Sequence, residues 1–593
     1  MNAYLKQDVG TTDAVQITVD GQPVNALAGQ TVAAVMLTNG QDSWRTTRAT
    51  GRPRGVFCGI GACFDCLVVV NGIPDIRACQ RTVAAGDEIT TQQGAVLPEP
   101  IEVHEAQKSA PRVVDVAVVG AGPAGIEAAL VAGDAGAEVL LIDCGRAVGG
   151  QFNRQVAEEL GVRRPERLQH GWKAFAAKRD RLAAHPRVTH LAEASVWAFE
   201  QGQRLWVQRG PADGVGREVF AVEAKAVVLA TGAYDRVLPF PGWDLPGVYS
   251  AGAAQALAKG QRISVGKRVI VAGTGPFLLP VAESLVGVGA KVVGLLEANS
   301  LKTVRKGWAT DPLVASGKVR EGLGYGALLA RHRIPLKHGW TVIAAHGEDH
   351  VEAVTVARLD DNWHPIKGSE RRIEVDAVCL GFGFTAQLEL AVSARCELTT
   401  GPDGGPAVVV DSDQQTTTPG VFAAGELTGI GGADLAAAEG RVAGAAAARQ
   451  AAAQADRKKV VKGRRFAAAL AKAYPVRDGW RSWSGPETVV CRCEEVTRGD
   501  IEGAVVERGV ADGRALKLTS RAGLGLCQGR VCSRTVAELA GQYTEPAGQY
   551  AGSAGQSDVR RPSGQNDVPR PSMKRPIAVP VRLRDLAEAQ EEL

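Results

Sequence analysis

The sequence has few histidines and no long hydrophobic run. Nine histidines occur among 593 residues, and they form no cluster with metal-ligand spacing, which argues against a histidine-built metal site. No apolar stretch is long enough to span a bilayer, and no secretory signal is recognisable. The formal net charge is +4 with mixed signs, so nothing indicates binding to nucleic acid or to an anionic membrane. We therefore expect a cytoplasmic globular protein of about four domains.

Eight of the eleven cysteines form two groups of four, one near each end of the chain. The N-terminal quartet consists of Cys58, Cys63, Cys66 and Cys79. Its spacing, C-x4-C-x2-C followed by a fourth cysteine after twelve residues, is the plant-type spacing for a [2Fe–2S] cluster. Gly59 and Gly61 allow the chain to wrap tightly around such a cluster. A zinc site, a disulfide pair and a redox C-x-x-C are the alternatives.

The residues that flank this quartet predict a small β-rich domain. Val15 to Val19 alternates like a strand and runs into the turn signal Asp20-Gly21. Leu67 to Val70 is a second strand candidate, and the turn signal Asn71-Gly72 follows it. We therefore expect a ferredoxin-like fold around the first quartet.

The C-terminal quartet consists of Cys491, Cys493, Cys527 and Cys532. It reads C-x-C, thirty-three residues, and C-x4-C, and its closing half again contains glycines. Because structural zinc sites prefer C-x2–4-C, a second [2Fe–2S] cluster in a compact helical domain is the favoured interpretation, with zinc as the alternative. We interpret the scattered Cys144, Cys379 and Cys396 as packed small residues.

A glycine-rich dinucleotide motif follows the first quartet. Val113 to Val119 is an apolar strand candidate, and it leads into G-x-G-x-x-G and the helical stretch Ile126 to Ala135. The next strand, Glu138 to Ile142, ends at Asp143, which completes the β–α–β context that the motif requires. The expected cofactor contacts in this region are Gly120, Gly122, Pro123, Ala124, Gly125, Asp143, Gly150 and Gln151.

Two later segments indicate FAD as the dinucleotide. A strand from Lys225 to Leu229 runs into Thr231-Gly232, and a second strand candidate runs into Gly425-Glu426. Both segments resemble motifs of the flavoproteins with two dinucleotide-binding domains. That resemblance implies that the second segment closes the FAD site, with an acid at the ribityl chain. Here the acid is Glu426, where many relatives carry Asp.

A second glycine-rich loop lies between the strand candidates Arg268 to Ala272 and Lys291 to Leu296, the latter followed by Glu297. By analogy it belongs to an inserted NAD-type domain. Leu278 replaces the third glycine, so we expect a less close approach of helix and strand. NAD(P) binding therefore stays open.

The stretches 230–259 and 423–444, CRCEEVT at 491–497 and CQGRVC at 527–532 resemble one branch of these flavoproteins. The branch contains the α subunits of hydrogen cyanide synthase, opine oxidases, and dye-linked proline and hydroxyproline dehydrogenases. Sarcosine oxidase α is a more distant relation, and its folate-binding domain has no counterpart here. The N-terminal segment resembles the small ferredoxin-like subunit of these complexes, fused to the α subunit.

The resemblance implies an electron-transferring subunit of a hetero-oligomeric amino-acid, imino-acid or opine dehydrogenase or oxidase. A separate amino-acid-oxidase-like flavoprotein β subunit would oxidise the amine. Electrons would then pass through FAD, two [2Fe–2S] clusters and FMN at the subunit interface to a quinone, dye or oxygen. No catalytic residue is assigned. The alternatives are a self-sufficient NAD(P)H-dependent reductase and a redox-sensing scaffold.

These interpretations predict an α/β two-dinucleotide-domain flavoprotein with a cluster domain on each side. The expected domains are a ferredoxin-like domain (1–100), an FAD domain in two parts (111–250 and 371–455), an inserted NAD-type domain (251–370), a C-terminal [2Fe–2S] domain (475–545) and a tail (546–593). A polar, proline-bearing linker is expected at 92–111, and 436–453 is expected to be an alanine-rich helix. The near-repeat in 547–572 predicts disorder, and 575–586 is a candidate docking segment.

Overall fold

The computed structural model describes residues 14–97, 111–162, 165–167, 171–316, 319–510, 512–544 and 577–582. Most of the expected linker 92–111, namely 98–110, and the near-repeat therefore lie outside the described residues. Within the described ranges, no helix combines the length and the apolar character that a membrane crossing requires.

The N-terminal domain is a five-stranded sheet, in the order β2-β1-β7-β5-β6, that packs on one buried helix. The hairpins β1–β2 and β5–β6 turn at Asp20-Gly21 and Asn71-Gly72, where all four residues have positive φ, as predicted. The elements are β1 (Ala14–Val19), β2 (Gln22–Leu27), α1 (Val32–Thr38), β3 (Arg45–Thr46), β4 (Pro53–Arg54), β5 (Leu67–Val70), β6 (Ile73–Arg77), β7 (Glu88–Thr90) and β8 (Gln92–Gln93).

The first nucleotide module begins with the predicted β–α–β unit. Strand β9 lies between β10 and β14 in a parallel arrangement, so the glycine loop emerges from the centre of the sheet. The helix begins at Pro123, three residues earlier than the sequence predicted. The elements are β9 (Arg112–Val119), α2 (Pro123–Asp134), β10 (Val139–Ile142), α3 (Trp172–Ala183), β11 (Val188–Leu191), β12 (Ala194–Glu200), β13 (Arg204–Arg209), β14 (Glu218–Leu229) and β15 (Ala233–Asp235).

The second module is a parallel sheet in the order β16-β23-β17-β18-β19, beside the antiparallel strands β20, β21 and β22. Its elements are β16 (Val248–Ser250), α4 (Ala251–Gly260), β17 (Arg268–Gly273), α5 (Leu278–Gly287), β18 (Lys291–Glu297), α6 (Leu301–Trp308), α7 (Pro312–Ser316), α8 (Val319–Arg331), β19 (Leu336–His338), β20 (Trp340–His346), β21 (Ala353–Arg358), β22 (Arg371–Glu374) and β23 (Ala377–Gly381).

The chain then returns to the first module. The elements are β24 (Phe384–Ala386), α9 (Glu389–Ser393), β25 (Leu398–Thr400), β26 (Pro406–Val408), β27 (Val421–Ala423), α10 (Ala433–Ala447) and α11 (Gln454–Ala473). Strand β27 pairs with β14, and α10 packs across α2. A Cβ on Gly440 or Gly444 would lie 2.1 or 2.3 Å from a backbone oxygen of α2, so small residues permit this contact. The alanine-rich helix expected at 436–453 is confirmed as far as Ala447, where α10 ends.

The C-terminal cysteines belong to a domain with a short hairpin and three helices: β28 (Val489–Cys491), β29 (Val496–Thr497), α12 (Arg498–Val506), α13 (Gly513–Ser520) and α14 (Ser533–Thr544). The described part of the tail, 577–582, packs on Trp197 and Trp206 of β12 and β13, and the Ala578 N–H donates to the Trp197 carbonyl at 2.6 Å. The candidate docking segment thus lies on the chain's own sheet instead of on a neighbour.

Candidate functional site

The loop between β9 and α2 opens onto a cavity of about 3350 Å³. Gly120 has φ +104°, and a Cβ on it would lie 2.3 Å from the Ala230 carbonyl oxygen. A Cβ on Gly125 would lie 1.7 Å from the Gly120 oxygen, whereas one on Gly122 would meet no atom within 4 Å. The loop is therefore packed on its protein side and open toward the cavity, where Pro123 and Ala124 start α2. This arrangement suits a pyrophosphate at a helix N-terminus.

Asp143 follows β10 and lies at the same edge of the cavity. Its carboxylate accepts the N–H of Ala121 at 2.6 Å and that of Gly145 at 2.7 Å. Burial nevertheless raises the pKa of this carboxyl. Gly150, with φ +59°, packs against Gly122, and Gln151 is exposed and accepts a hydrogen bond from Arg154 at 3.0 Å. Both residues line the cavity near the glycine loop.

The segments that contain Thr231-Gly232 and Gly425-Glu426 also line this cavity. The Thr231 hydroxyl donates to the Gln387 carbonyl at 2.8 Å, and Gly232 adopts φ +83° with open space above it. Gly425 also has positive φ, and its N–H donates to Glu439 at 3.0 Å. All the sequence-predicted FAD residues except Gly125 line one cavity, and Gly125 is buried in α2.

The Glu426 carboxylate faces the cavity but already has backbone partners. It accepts the N–H groups of Gly431 and Gly432 at 3.1 and 2.9 Å, which fixes the start of α10. Burial raises its pKa to about 7. The predicted contact with a ribityl chain stays a prediction. Sequence reasoning missed Glu439, a buried acid of α10 that holds the Gly425 turn, because it lies in an otherwise alanine-rich helix.

The second glycine loop carries an acid in the same relation to its backbone. Glu297 is 4% exposed and accepts the Gly275 N–H at 2.8 Å, the Thr274 hydroxyl at 2.7 Å and the Asn299 N–H at 2.8 Å. Burial raises its pKa to about 7. Leu278 is buried at the first position of α5. Gly275 and Thr274 line the same large cavity as the first loop.

The N-terminal quartet is buried in a loop that folds back on itself. The N–H groups of Ala62 and Cys63 both point at the Cys58 sulfur, at 3.3 Å. Gly59 and Gly61 have positive φ, and so does Phe64, an unusual conformation for a bulky residue. Donors aimed at sulfur and a chain that wraps around the sulfurs fit a [2Fe–2S] cluster.

The C-terminal quartet brings the hairpin β28–β29 against the segment that precedes α14. The Cys493 sulfur lies 3.7 Å from the Cys491 sulfur and 3.6 Å from the Cys527 sulfur. Cys491, Cys527 and Cys532 are buried, whereas Cys493 is half-buried. All eight quartet cysteines are free thiols, so the disulfide alternative is not realised.

The thiols of each quartet differ in acidity. Burial raises the pKa of Cys63, whereas a hydrogen bond from Cys66 lowers that of Cys79 to about 7. Hydrogen bonds from Cys493 and Cys532 lower the pKa of Cys491. No group of three His, Cys, Asp or Glu side chains in the described ranges matches a site for a metal ion. The assignment of the quartets rests on spacing, backbone donors and the family matches below.

Both cysteine domains contact the cavity, which the sequence did not reveal. Cys79 lines it directly. On the other side, Arg530 of the C-terminal CQGRVC segment donates to the Tyr234 hydroxyl at 3.0 Å and pairs with Glu389 at 3.1 Å, and all three residues line the cavity. Cys144 lines it as well and is exposed, so its interpretation as a packed residue was wrong. Cys379 and Cys396 are buried as expected.

A second contact holds the N-terminal domain against the first module. Arg77 of β6 forms two hydrogen bonds of 2.7 Å with the carboxylate of Asp213, and its third nitrogen donates to the Gly61 carbonyl at 2.6 Å. A paired Arg–carboxylate fork is directional as well as strong. It therefore fixes the first cysteine loop at the edge of the cavity.

Comparison with known protein families accounts for most of the chain. The model of the 2Fe-2S iron-sulfur cluster binding domain matches residues 12–94. That of the pyridine nucleotide-disulphide oxidoreductases matches 114–310 and 324–461, and that of the BFD-like [2Fe-2S] binding domain matches 489–541. These matches support the [2Fe–2S] interpretation of both quartets over the zinc alternative, and they confirm the predicted fold class.

Curated relatives come from three kinds of multi-subunit oxidoreductase. An opine oxidase subunit of Agrobacterium tumefaciens (strain Ach5) is 33% identical over 441 residues, which is 72% of this chain and 85% of the relative. The HcnB subunit of hydrogen cyanide synthase of Pseudomonas protegens is 31% identical over 70% of this chain and 89% of its own length. The alpha subunit of sarcosine oxidase of Corynebacterium sp. (strain U-96) is 29% identical, and the match spans 38% of that protein.

Among solved structures, L-proline dehydrogenase from P. horikoshii has the same fold, with a TM-score of 0.65 at 22% identity over 92% of this chain and 95% of that one. The similarity to the opine oxidase and hydrogen cyanide synthase subunits covers 72% and 70% of this chain and confirms the resemblance drawn from the sequence. The chain therefore belongs to the pyridine nucleotide-disulphide oxidoreductase family, in the group that includes these opine oxidase and hydrogen cyanide synthase subunits.

Proposed function

We propose that this oxidoreductase is the electron-transferring flavin and iron–sulfur subunit of a cytoplasmic hetero-oligomeric dehydrogenase or oxidase that acts on an amine. A partner flavoprotein of the amino-acid-oxidase type would take the hydride from the carbon beside the nitrogen. The observation that carries the proposal is that both cysteine quartets adjoin one nucleotide cavity. Cys79 lines this cavity directly, and Arg530 reaches it from the segment between Cys527 and Cys532.

The glycine loop and its acid would hold the FAD. The N–H groups at the start of α2 and the open face of Gly122 would receive the pyrophosphate, and Asp143 would orient the ribose hydroxyls. Gly232 and Glu426 would border the remainder of the cofactor. Bound flavin supplies chemistry that fits this position, since it accepts a hydride and releases electrons one at a time.

The relatives support the amine class but do not fix the substrate. Opine oxidase and sarcosine oxidase are named for compounds with a carbon–nitrogen bond, and so is L-proline dehydrogenase. In our proposal the partner subunit chooses the substrate, an FMN lies at the interface between the subunits, and a quinone, a dye or oxygen takes the electrons.

Separate and combined purification of the two subunits tests this function. The chain, its candidate partner and their complex would each be assayed for dye reduction with proline, hydroxyproline, sarcosine, glycine and opines. We expect substrate-dependent reduction of the chain's flavin and iron–sulfur chromophores only when the partner is present. Amine oxidation by the lone chain at the rate of the complex would contradict the two-subunit proposal.

A self-sufficient NAD(P)H-dependent reductase is the second candidate. It is favoured by the second glycine loop, in which Gly275 has open space above it and Glu297 holds the loop as Asp143 holds the first. The later start of its helix counts against it, since α5 begins at Leu278, three residues after Gly275, whereas α2 begins directly after Gly122. Anaerobic titration of the chain with NADH or NADPH alone discriminates the candidates, since rapid bleaching of the flavin would favour the reductase and an unchanged spectrum the partner-dependent subunit.

A further inference from the structure

A buried ion pair joins the two cysteine loops across 427 residues of sequence. Asp65 lies between Cys63 and Cys66, and Arg492 lies between Cys491 and Cys493. The Arg492 Nε is 2.7 Å from the Asp65 carboxylate, and the exposed fractions of the two side chains are 5% and 1%. The charged pair therefore sits directly between the two cluster sites and is shielded from solvent.

The guanidinium of Arg492 is held from several directions. Its centre lies 4.1 Å from the ring of Phe57, the residue before Cys58, and 5.0 Å from the ring of Trp243. A second nitrogen donates to the Trp243 carbonyl at 2.8 Å. A planar cation that is stacked and hydrogen-bonded in this way has little freedom to move. These contacts therefore fix the second cysteine loop relative to the first.

Apolar packing and an outer ring of polar contacts surround the pair. Phe64 and Leu67 of the N-terminal loop pack against Cys527 of the other quartet. At the rim, the Glu495 carboxylate accepts hydrogen bonds from the Thr47 hydroxyl at 2.8 Å and the Thr50 N–H at 3.2 Å. The two cluster sites thus share one continuous interface, in which Cys527 of one site packs against the loop of the other.

Stability alone does not explain a buried ion pair at this place. Removing two charges from water costs several kcal/mol per ion, and apolar replacements of such pairs are often neutral or stabilising. What a buried pair with fixed geometry does provide is a defined relative position of the two segments that carry it. Here both segments are the ligand loops themselves.

We propose that the two quartets form one fixed electron relay, in which Asp65 and Arg492 are positioning residues that fix the distance between the two clusters for electron transfer. The N-terminal domain is then a docked component and does not swing between partners. The inference rests on the proposed electron-transfer function. The step moves one electron from the reduced cluster of one quartet to the oxidised cluster of the other, and no bond forms or breaks and no proton is transferred.

Electron paramagnetic resonance on the full chain tests the relay. The wild type, loaded with both clusters as verified by iron and sulfide content, would be fully reduced with dithionite. We expect magnetic interaction between the two reduced clusters, seen as splitting or as enhanced spin relaxation.

In the double variant Asp65→Leu with Arg492→Met, which leaves no buried unpaired charge, we expect both clusters to be present and the interaction to be weaker. Electron transfer between the clusters after partial reduction should be slower by roughly tenfold or more, because small displacements of reacting groups have steep effects on rate.

Glu538→Gln is the matched control. Glu538 of α14 pairs with the buried Arg236 at 2.5 Å and ties the same C-terminal domain to the first module, away from the contact between the quartets. It should leave the magnetic interaction unchanged. Arg492→Lys, which keeps the charge and loses the planar fork, should fall between the wild type and the double variant.

Three outcomes would overturn the relay. The first is magnetically isolated clusters in the wild type, and the second is an unchanged interaction and rate in the fully loaded double variant. The third is loss of the clusters from both the double variant and Arg492→Lys, since the pair would then build the sites and not position them. None of these measurements uses an amine substrate or a partner subunit. A chain that shows the interaction but takes no electrons from a partner would refute only the proposed function.

Discussion

The two glycine-rich loops have the same layout but begin their helices at different positions. In the first loop α2 starts at Pro123, directly after Gly122, and Gly125 packs on Gly120. In the second loop, Pro276 and Phe277 form a turn, and α5 starts only at Leu278. The Leu278 N–H bonds to the Gly275 carbonyl at 3.3 Å, as in a tight turn. The later start gives the leucine side chain a place in the core.

This difference corrects the expectation drawn from the third position. The sequence predicted that Leu278 would hold helix and strand apart, as a side chain in the first loop would. The second loop instead changes its turn, and Leu278 lies 2% exposed, with its Cδ2 atom 3.6 Å from the place of a Cβ on Gly381. A glycine is needed only where the helix starts early enough to meet the loop backbone.

Among substitutions in the two glycine-rich loops, Gly125→Ala should destabilise the chain most. The new Cβ would lie 1.7 Å from the Gly120 oxygen, so the backbone must shift, at a cost of about 3 kcal/mol or more. We expect a lower melting temperature and loss of FAD from the purified chain. Gly122→Ala is the control, because its Cβ meets no atom within 4 Å and should leave the melting temperature of the FAD-free chain unchanged. Equal melting temperatures for the two FAD-free variants would contradict the packing argument.

Leu278→Ala should destabilise the second loop by about 3 kcal/mol, because it empties a buried position. Denaturant unfolding of the purified chain measures the loss. The neighbouring Leu279 is only half-buried, so Leu279→Ala should cost clearly less. If the two substitutions cost the same, Leu278 does not fill the core in the way described.

Glu297→Gln should remove a pH-dependent part of the unfolding free energy that amounts to about 3 kcal/mol at most. Burial raises the pKa of this carboxyl from about 4.5 to about 7, so between these values the folded chain binds more protons than the unfolded one. Its contribution to stability is therefore complete below about pH 4.5 and is lost as the pH rises through 7.

Unfolding free energies of the wild type and Glu297→Gln, measured from pH 5 to pH 8, check the sign. The difference between them should shift in favour of the variant as the pH rises. The exposed Glu348→Gln serves as the control and should show no such trend. A constant difference between Glu297→Gln and the wild type would mean that the carboxyl titrates normally.

Local sequence patterns were sufficient to predict the strands, turns and loops whose contacts lie within a few residues. The alternation in Val15 to Val19, the turns at Asp20 and Asn71, and the glycine loop after β9 are all encoded within a few residues, and the structure contains them. The three family matches confirm the fold class that followed from them. The assignment of individual FAD contacts stays a prediction.

Long-range contacts were not predictable from these patterns. Arg492 and Asp65 each look like an ordinary charged residue inside a cysteine motif, and only tertiary structure shows that they meet. Tyr234, Glu389 and Arg530 come from three distant segments. The alanine-rich segment 436–453 was expected to be helical, but its close contact with α2 was not predictable, because small side chains give no amphipathic stripe that would indicate a buried face.

The sequence separation between Asp65 and Arg492 also means that the two residues are synthesised at different times. With 427 residues between them and elongation at about 5–20 residues per second, Arg492 leaves the ribosome roughly 20–90 s after Asp65. During that interval Arg492 and the C-terminal cysteine domain cannot yet cover the first cysteine loop. The nascent chain thus offers a period in which the first cluster can be inserted before the second domain covers that loop.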